Sequence, residues 1–258
     1  MSKVMKASEF VKKAKDIAKN YKTLYVMGCF GSPLNDANKK RYTNNNAYNK
    51  QPARTKMINN ASSDTFGFDC VCLLKGILWG WSGNQNKTYG GAEYKSNGVP
   101  DVGANTMFSK YCTDKSSDFS KIEVGEFVWL DGHIGVYIGD GLAVECTPAW
   151  KNKVQITAVG NIGKKDGYPT RKWTKHGKST FLDYTKEPTP KPSGEFKIGD
   201  KVTISGFLYK TANSLIPSGR VPNGKKDTVI TRYAKGTRHP YNTTGDLGWI
   251  SESNIKHR

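Results

Sequence analysis

At 258 residues, with 36% hydrophobic and 11% aromatic side chains, the chain has the composition of a folded soluble protein and the length for one sizeable core plus a small second domain. Forty Lys and Arg against 22 Asp and Glu give +18, of which 12 basic and five acidic residues place +7 in 191–258 and leave +11 in the remainder. Such a field draws the protein to polyanions, whether nucleic acid, an acidic membrane surface or the anionic polymers of a bacterial wall, and charge does not choose among them. No stretch is long and apolar enough to cross a bilayer, and Met1–Lys6 leads into a charged amphipathic pattern instead of an apolar leader, so neither membrane insertion nor a signal peptide is expected. The five cysteines (29, 70, 72, 112 and 146) are odd in number and form no CxxC pair, which argues against a disulfide scaffold and a structural zinc site.

Taken in chain order, Phe10, Val11, Ala14, Ile17, Ala18 and Tyr21 recur at helical spacing and predict a first amphipathic helix. Residues 30–65, rich in Asn, Lys, Gly and Pro without periodicity, read as a long surface excursion. Cys70 to Trp81 predicts a second helix, weakened at its far end by Gly76 and Gly80, and Met107, Phe108 and Tyr111 mark a short third one. Strands follow over Phe127–Leu130, His133–Ile138, Leu142–Thr147 and Val154–Ile156. Helices first and strands second, with short connections, make an α+β domain over 1–185. Three prolines at alternate positions make 186–194 an extended linker. Short β-like runs at 201–204, 227–230 and 248–250 make 195–258 a small all-β barrel.

Chemistry is concentrated at two places. Cys70, at a predicted helix start, meets the positive end of the helix dipole, which favours thiolate over thiol. His133 opens a predicted hairpin. If Gly139, Asp140 and Gly141 form its loop, paired residues sum to 280, so Gly135 faces Glu145 and His133 faces Thr147. His133, Gly135, Tyr137, Ala143, Glu145 and Thr147 then share a site face, and Ile134, Val136, Ile138, Leu142, Val144 and Cys146 a core face. Glu145 lies diagonally across from His133, within reach to orient the imidazole and leave its other nitrogen for the thiol. The other four cysteines read as small buried hydrophobes. The histidines (133, 176, 239, 257) have no metal-ligand spacing, so no metal or cofactor is expected.

In order, Tyr25-Val26-Met27-Gly28, Phe68-Asp69-Cys70, Val124 to Val128 and Gly132 to Gly139 resemble the segments of NlpC/P60 cell-wall peptidases, over roughly residues 5–180. The resemblance implies a papain-like cysteine hydrolase of peptidoglycan stem peptides, with N-terminal helices packed on an antiparallel sheet. Carried across, Cys70 is the nucleophile, His133 the base, Glu145 the third residue, and Tyr25 the tyrosine whose hydroxyl lies near the thiol. Asp69 and Trp129 are expected to contact substrate. Two departures stand out: Val71-Cys72 follows Asp69-Cys70 where the family has Ser-Gly, and the third residue is Glu instead of His, Asn or Gln. Residues 195–258 resemble bacterial SH3-like wall-binding domains, with His239 and Tyr241 as the expected binding surface and Trp249 as barrel core.

Together the modules resemble a phage endolysin, made in the cytoplasm of the producing cell and acting on peptidoglycan and its anionic polymers after release. The resemblance implies cleavage between γ-D-glutamate and the diamino acid. Two alternatives remain: a CHAP-type amidase cutting the muramoyl-L-alanine bond, and a basic protein that binds wall polymer or nucleic acid without chemistry.

Overall fold

A computed structural model describes residues 3–185 and 196–258, and the chain divides into two compact units, Met1–Thr185 and Lys186–Arg258. The linker expected over 186–194 lies outside the described residues.

The first unit is mixed α+β. It opens with β1 (Met5–Lys6) and α1 (Ala7–Asn20), whose apolar stripe of Phe10, Val11, Ala14 and Ile17 is buried while its lysines face outward. Next come β2 (Thr23–Tyr25), β3 (Phe30–Pro33), α2 (Asp36–Asn45), α3 (Pro52–Asn60) and β4 (Phe66–Phe68). β4 lies between β2 and β3, and its parallel register sets Phe68 beside Tyr25.

Two helices therefore replace part of the surface excursion expected over 30–65. Their fastening is polar, which is why hydropathy gave no period. Asn35 caps α2 by accepting from the Asn38 N–H at 3.0 Å, and the buried Asn38 amide donates to the Pro33 carbonyl at 2.8 Å. Buried Asn49 accepts from the Met27 N–H at 3.1 Å and donates to the Met27 carbonyl at 2.9 Å.

β4 runs directly into α4 (Cys70–Leu78), every residue of which is buried. The helix expected to 81 stops earlier because Gly80, at φ +86°, begins a Schellman close: its N–H donates to Ile77 and that of Trp81 to Gly76. Gly76 is needed for contact, since a Cβ there would stand 2.8 Å from the Phe30 carbonyl oxygen.

After α5 (Ala104–Tyr111) the chain builds a seven-stranded sheet from β5 (Cys112–Ser116), β6 (Phe127–Leu130), β7 (His133–Gly139), β8 (Leu142–Thr147), β9 (Lys153–Val159), β10 (Thr170–Arg171) and β11 (Lys175–Ser179), in the order β10-β9-β8-β7-β6-β11-β5. β12 (Leu182–Asp183) returns to pair with β1. α1, α4 and α5 cover one face through Phe10, Leu74, Met107, Ile134, Val136 and Val144. The opposite face, read from sequence as a site, also carries a smaller apolar cluster that includes Phe119, Tyr137, Ala143 and Trp173.

Along β7–β8 the register follows the sum of 280, with Val136 opposite Val144 and Tyr137 opposite Ala143. The turn itself is shorter than the expected three-residue loop. Asp140 and Gly141 both have positive φ, as a two-residue hairpin turn of the primed type requires, and Gly139 pairs with Leu142. An irregularity between Tyr137 and Gly139 absorbs the extra residue, so the side chains beyond it keep their faces.

The second unit is an antiparallel sheet of β13 (Lys201–Leu208), β14 (Gly219–Tyr233), β15 (Tyr241–Thr243) and β16 (Ile255–His257), in the order β15-β14-β13-β16. Its core holds Phe196, Val202, Ile204, Ile230, Tyr241 and Ile250. The run at 248–250 makes isolated bridges, Trp249 to Tyr209 and Ile250 to Tyr241, in place of a strand.

Candidate active site

Asp69 is the N-cap of α4, and its carboxylate accepts from the Cys72 N–H at 2.7 Å and the Gly28 N–H at 2.8 Å. Buried and occupied in this way, it fixes the start of the helix and does not present itself to substrate, which corrects the expectation of a substrate contact. Cys70 follows as the first residue of the helix, where N–H groups lack intrahelical partners.

Its thiol donates to the Gly132 carbonyl at 3.9 Å, and the Ile134 N–H approaches the same sulfur. The sulfur is thus held against the backbone on both sides of His133, across 62 positions of sequence from Gly132. No hydrogen bond joins the thiol to the imidazole. The standing thiolate expected from the helix start is not what the surroundings produce: burial, followed by the negative charge of Asp69, pushes the Cys70 thiol up to about 12, against the N–H groups of Val71, Ile134 and Cys70 itself. The group therefore rests as a thiol.

His133 stands at the first position of β7, where the turn before it is pinned by Asn105 of α5. Asn105 Oδ1 accepts from the Gly132 N–H at 2.8 Å and from Trp129 Nε1 at 3.0 Å, and its amide donates to Asp131 at 2.8 Å. Trp129, expected at the substrate, is half-buried with its ring stacked on Phe108, and buttresses this turn. The His133 ring stacks on buried Trp173 at 5.4 Å, and Nε2 meets Glu145 Oε2 at 2.7 Å, which leaves Nδ1 as the nitrogen open to a thiol.

Glu145 is 0% exposed, yet both its oxygens are satisfied. Thr157 Oγ1 donates to Oε1 at 2.7 Å, and Arg171 Nε reaches Oε1 at 2.9 Å and Oε2 at 2.7 Å. Burial acts to raise its pKa, but His133 and Arg171, by hydrogen bond and charge, outweigh burial and hold it below the ordinary carboxylate range. Gly135 has no room for a side chain, because a Cβ would lie 2.8 Å from the Val144 carbonyl and 3.2 Å from the Trp173 ring.

Tyr25 is buried, and burial together with nearby Asp69 and Cys70 keeps its phenol protonated well above the ordinary tyrosine range. Its hydroxyl points to Met27 Sδ at 3.9 Å, and its backbone carbonyl accepts from Arg54.

Arg171, Thr157, Asn105 and Trp173 were not singled out by sequence reasoning. Arg171 sits on a two-residue strand paired in parallel with β9, which offers no alternation to read. Asn105 is a polar residue on a short helix with nothing local to mark its role.

In the second unit, Tyr241 is 0% exposed and packs with Phe196 and Tyr233, and His239 is 8% exposed, stacked on Tyr209 and bonded to Ser251 and the Ser214 carbonyl. Both belong to the interior, which corrects their assignment to a binding surface. Trp249, expected in the core, is the half-buried residue of the set.

No family model and no curated protein matches this chain. Among solved structures, the P60 domain of an M. avium subspecies paratuberculosis antigen aligns with 69% of this chain and 96% of that domain, at 15% identity and a TM-score of 0.33. All five cysteines are free and buried. Among the described residues, no group of three or more His, Cys, Asp or Glu side chains is placed to hold a metal ion, and no helix is long and apolar enough to cross a membrane.

Proposed function

We propose that this chain is a thiol hydrolase that cleaves amide bonds in the stem peptides of bacterial peptidoglycan. One observation carries the reading: the Cys70 sulfur rests on the backbone flanking His133, while the far nitrogen of that imidazole is tied to a fully buried carboxylate. A nucleophile beside the backbone that carries the base, and a base whose ring is oriented by an acid, are what covalent acyl transfer needs.

In this mechanism His133 Nδ1 takes the thiol proton as Sγ attacks the scissile carbonyl carbon. The Cys70 N–H and the protonated phenol of Tyr25 stabilise the oxyanion. Collapse expels the amine, which receives the proton from His133, and leaves a thioester on Cys70. Water, deprotonated by His133, then releases the acid and restores the thiol.

The sequence resemblance to NlpC/P60 peptidases supports the bond between γ-D-glutamate and the diamino acid, and an endolysin-like role at the wall after release from the producing cell. For the second unit, resembling SH3-like wall-binding domains, we propose retention on wall polymer. Its +7 charge and the exposed Ile198, Leu215 and Ile216 support that role.

Mass spectrometry of fragments from purified peptidoglycan digested by the full chain tests the bond. The proposal expects a new amino terminus on the diamino acid. A whole stem peptide with a free L-alanine amine would identify a muramoyl-L-alanine amidase instead. Intact peptidoglycan, with salt-sensitive retention only, would identify a binding protein.

A further inference from the structure

The carboxylate of Glu145 meets more than the imidazole it orients. Arg171 places Nε across both of its oxygens, at 2.9 and 2.7 Å, and bonds Thr147 Oγ1 at 3.2 Å through a terminal nitrogen. The guanidinium is itself held between two indoles, with Trp150 at 4.8 Å and Trp173 at 5.6 Å, and Trp173 is the ring on which His133 stacks. Trp150 lies 49% exposed in the loop between β8 and β9, at φ +54°, a conformation that bulky residues rarely adopt. Among the described residues, the imidazole meets Glu145 from β8, which Arg171 from β10 meets in turn; Cys70 of α4 lies against the backbone on either side of His133 with Asp69 and Tyr25 near its sulfur, Arg54 bonds the Tyr25 carbonyl, and Asp131 of the preceding turn is bonded to Asn105. Arg171 is the cation that reaches the carboxylate.

We infer that Arg171 is a positioning residue for the thiol–imidazole pair, fixing the Glu145 rotamer and sharing its charge so that His133 binds a proton less tightly than an isolated His–Glu pair would. A carboxylate held by His133 alone would keep its full charge for the imidazolium and trap the base in its protonated form. With Arg171 in place, the carboxylate that orients the ring through Nε2 divides its charge between an imidazole and a guanidinium. Lysine would supply the charge without the second nitrogen by which the guanidinium bonds Thr147 while Nε meets the carboxylate. The inference rests on the proposed role of His133 as base, but its first readout does not.

That readout is the imidazole titration of His133 by NMR in the full chain carrying Cys70→Ala, with and without Arg171→Met. The midpoint is expected to rise by about one pH unit in R171M. In the chain with Cys70 intact, R171M moves the acid limb of kcat/KM to higher pH by the same amount, while R171K leaves the limb in place and lowers kcat with KM unchanged. A folded R171M whose His133 midpoint stays put overturns the inference. Should R171M fail to fold, R171K decides: wild-type kcat in R171K overturns it, and a lowered kcat at an unmoved limb supports it. A shifted titration in a protein that leaves peptidoglycan intact would sink the hydrolase reading and leave the coupling of Arg171 to His133 standing.

Discussion

Replacing Cys70 with alanine is expected to lower the release of amines from purified peptidoglycan by about 10⁴-fold or more, because the proposed mechanism carries the acyl intermediate on the Cys70 sulfur. The five cysteines are all buried, and only Cys70 lies at the backbone of the base, so none of the others can take its place. Retention on wall preparations should be unchanged, since the variant alters one atom position deep in the first unit. Turbidity of a wall suspension and a sedimentation assay read the two effects separately. Lysis near the wild-type rate would remove Cys70 from the chemistry.

Glu145→Gln is the second large effect. A carboxamide keeps the size of the side chain but loses the charge that stabilises imidazolium, and it must meet His133, Arg171 and Thr157 with one acceptor oxygen in place of two. We expect kcat to fall by about 10² to 10⁴-fold with KM little changed. Stability should change with pH in a defined sense. The folded pKa of Glu145 lies below its ordinary value, so the ionised form stabilises the fold above the ordinary carboxylate range, and that contribution is lost as pH falls through the folded value. In E145Q the acid side of the stability profile should therefore be flatter, measured by urea unfolding at a series of pH values. An equally steep acid loss in E145Q would place that dependence on other carboxylates.

Much of the site was legible because it follows from short-range rules. Alternation on β7 and β8, with a Gly-Asp-Gly turn between them, sufficed to put Glu145 near His133. The bulge by Gly139 even compensated for the wrong turn length. The helix beginning at Cys70 was readable from its apolar residues. What stayed hidden depends on distant partners. Arg171 reaches Glu145 from a two-residue strand, and Asn105 reaches the His133 turn from a helix 26 residues before Asp131.

The two polar helices Asp36–Asn45 and Pro52–Asn60 leave no hydropathy period because their buried positions include Asn38 and Arg54, which satisfy the backbone instead of marking an apolar stripe. The thiolate expectation failed on magnitude: a single helix end is a weak field beside nearly complete burial next to Asp69. Tyr241 misled because a tyrosine following His-Pro suggests an exposed loop, whereas β15 turns that ring into the core of its sheet.

The proposed activation of the Cys70 thiol by His133 can be tested without any substrate. Alkylation by a small haloacetamide near neutral pH, followed peptide by peptide with mass spectrometry, should modify Cys70 ahead of Cys29, Cys72, Cys112 and Cys146, and His133→Ala should slow that modification by about 10²-fold. Reaction of Cys70 no faster than the other four, or at the same rate once His133 is gone, would mean that the imidazole does not serve the sulfur.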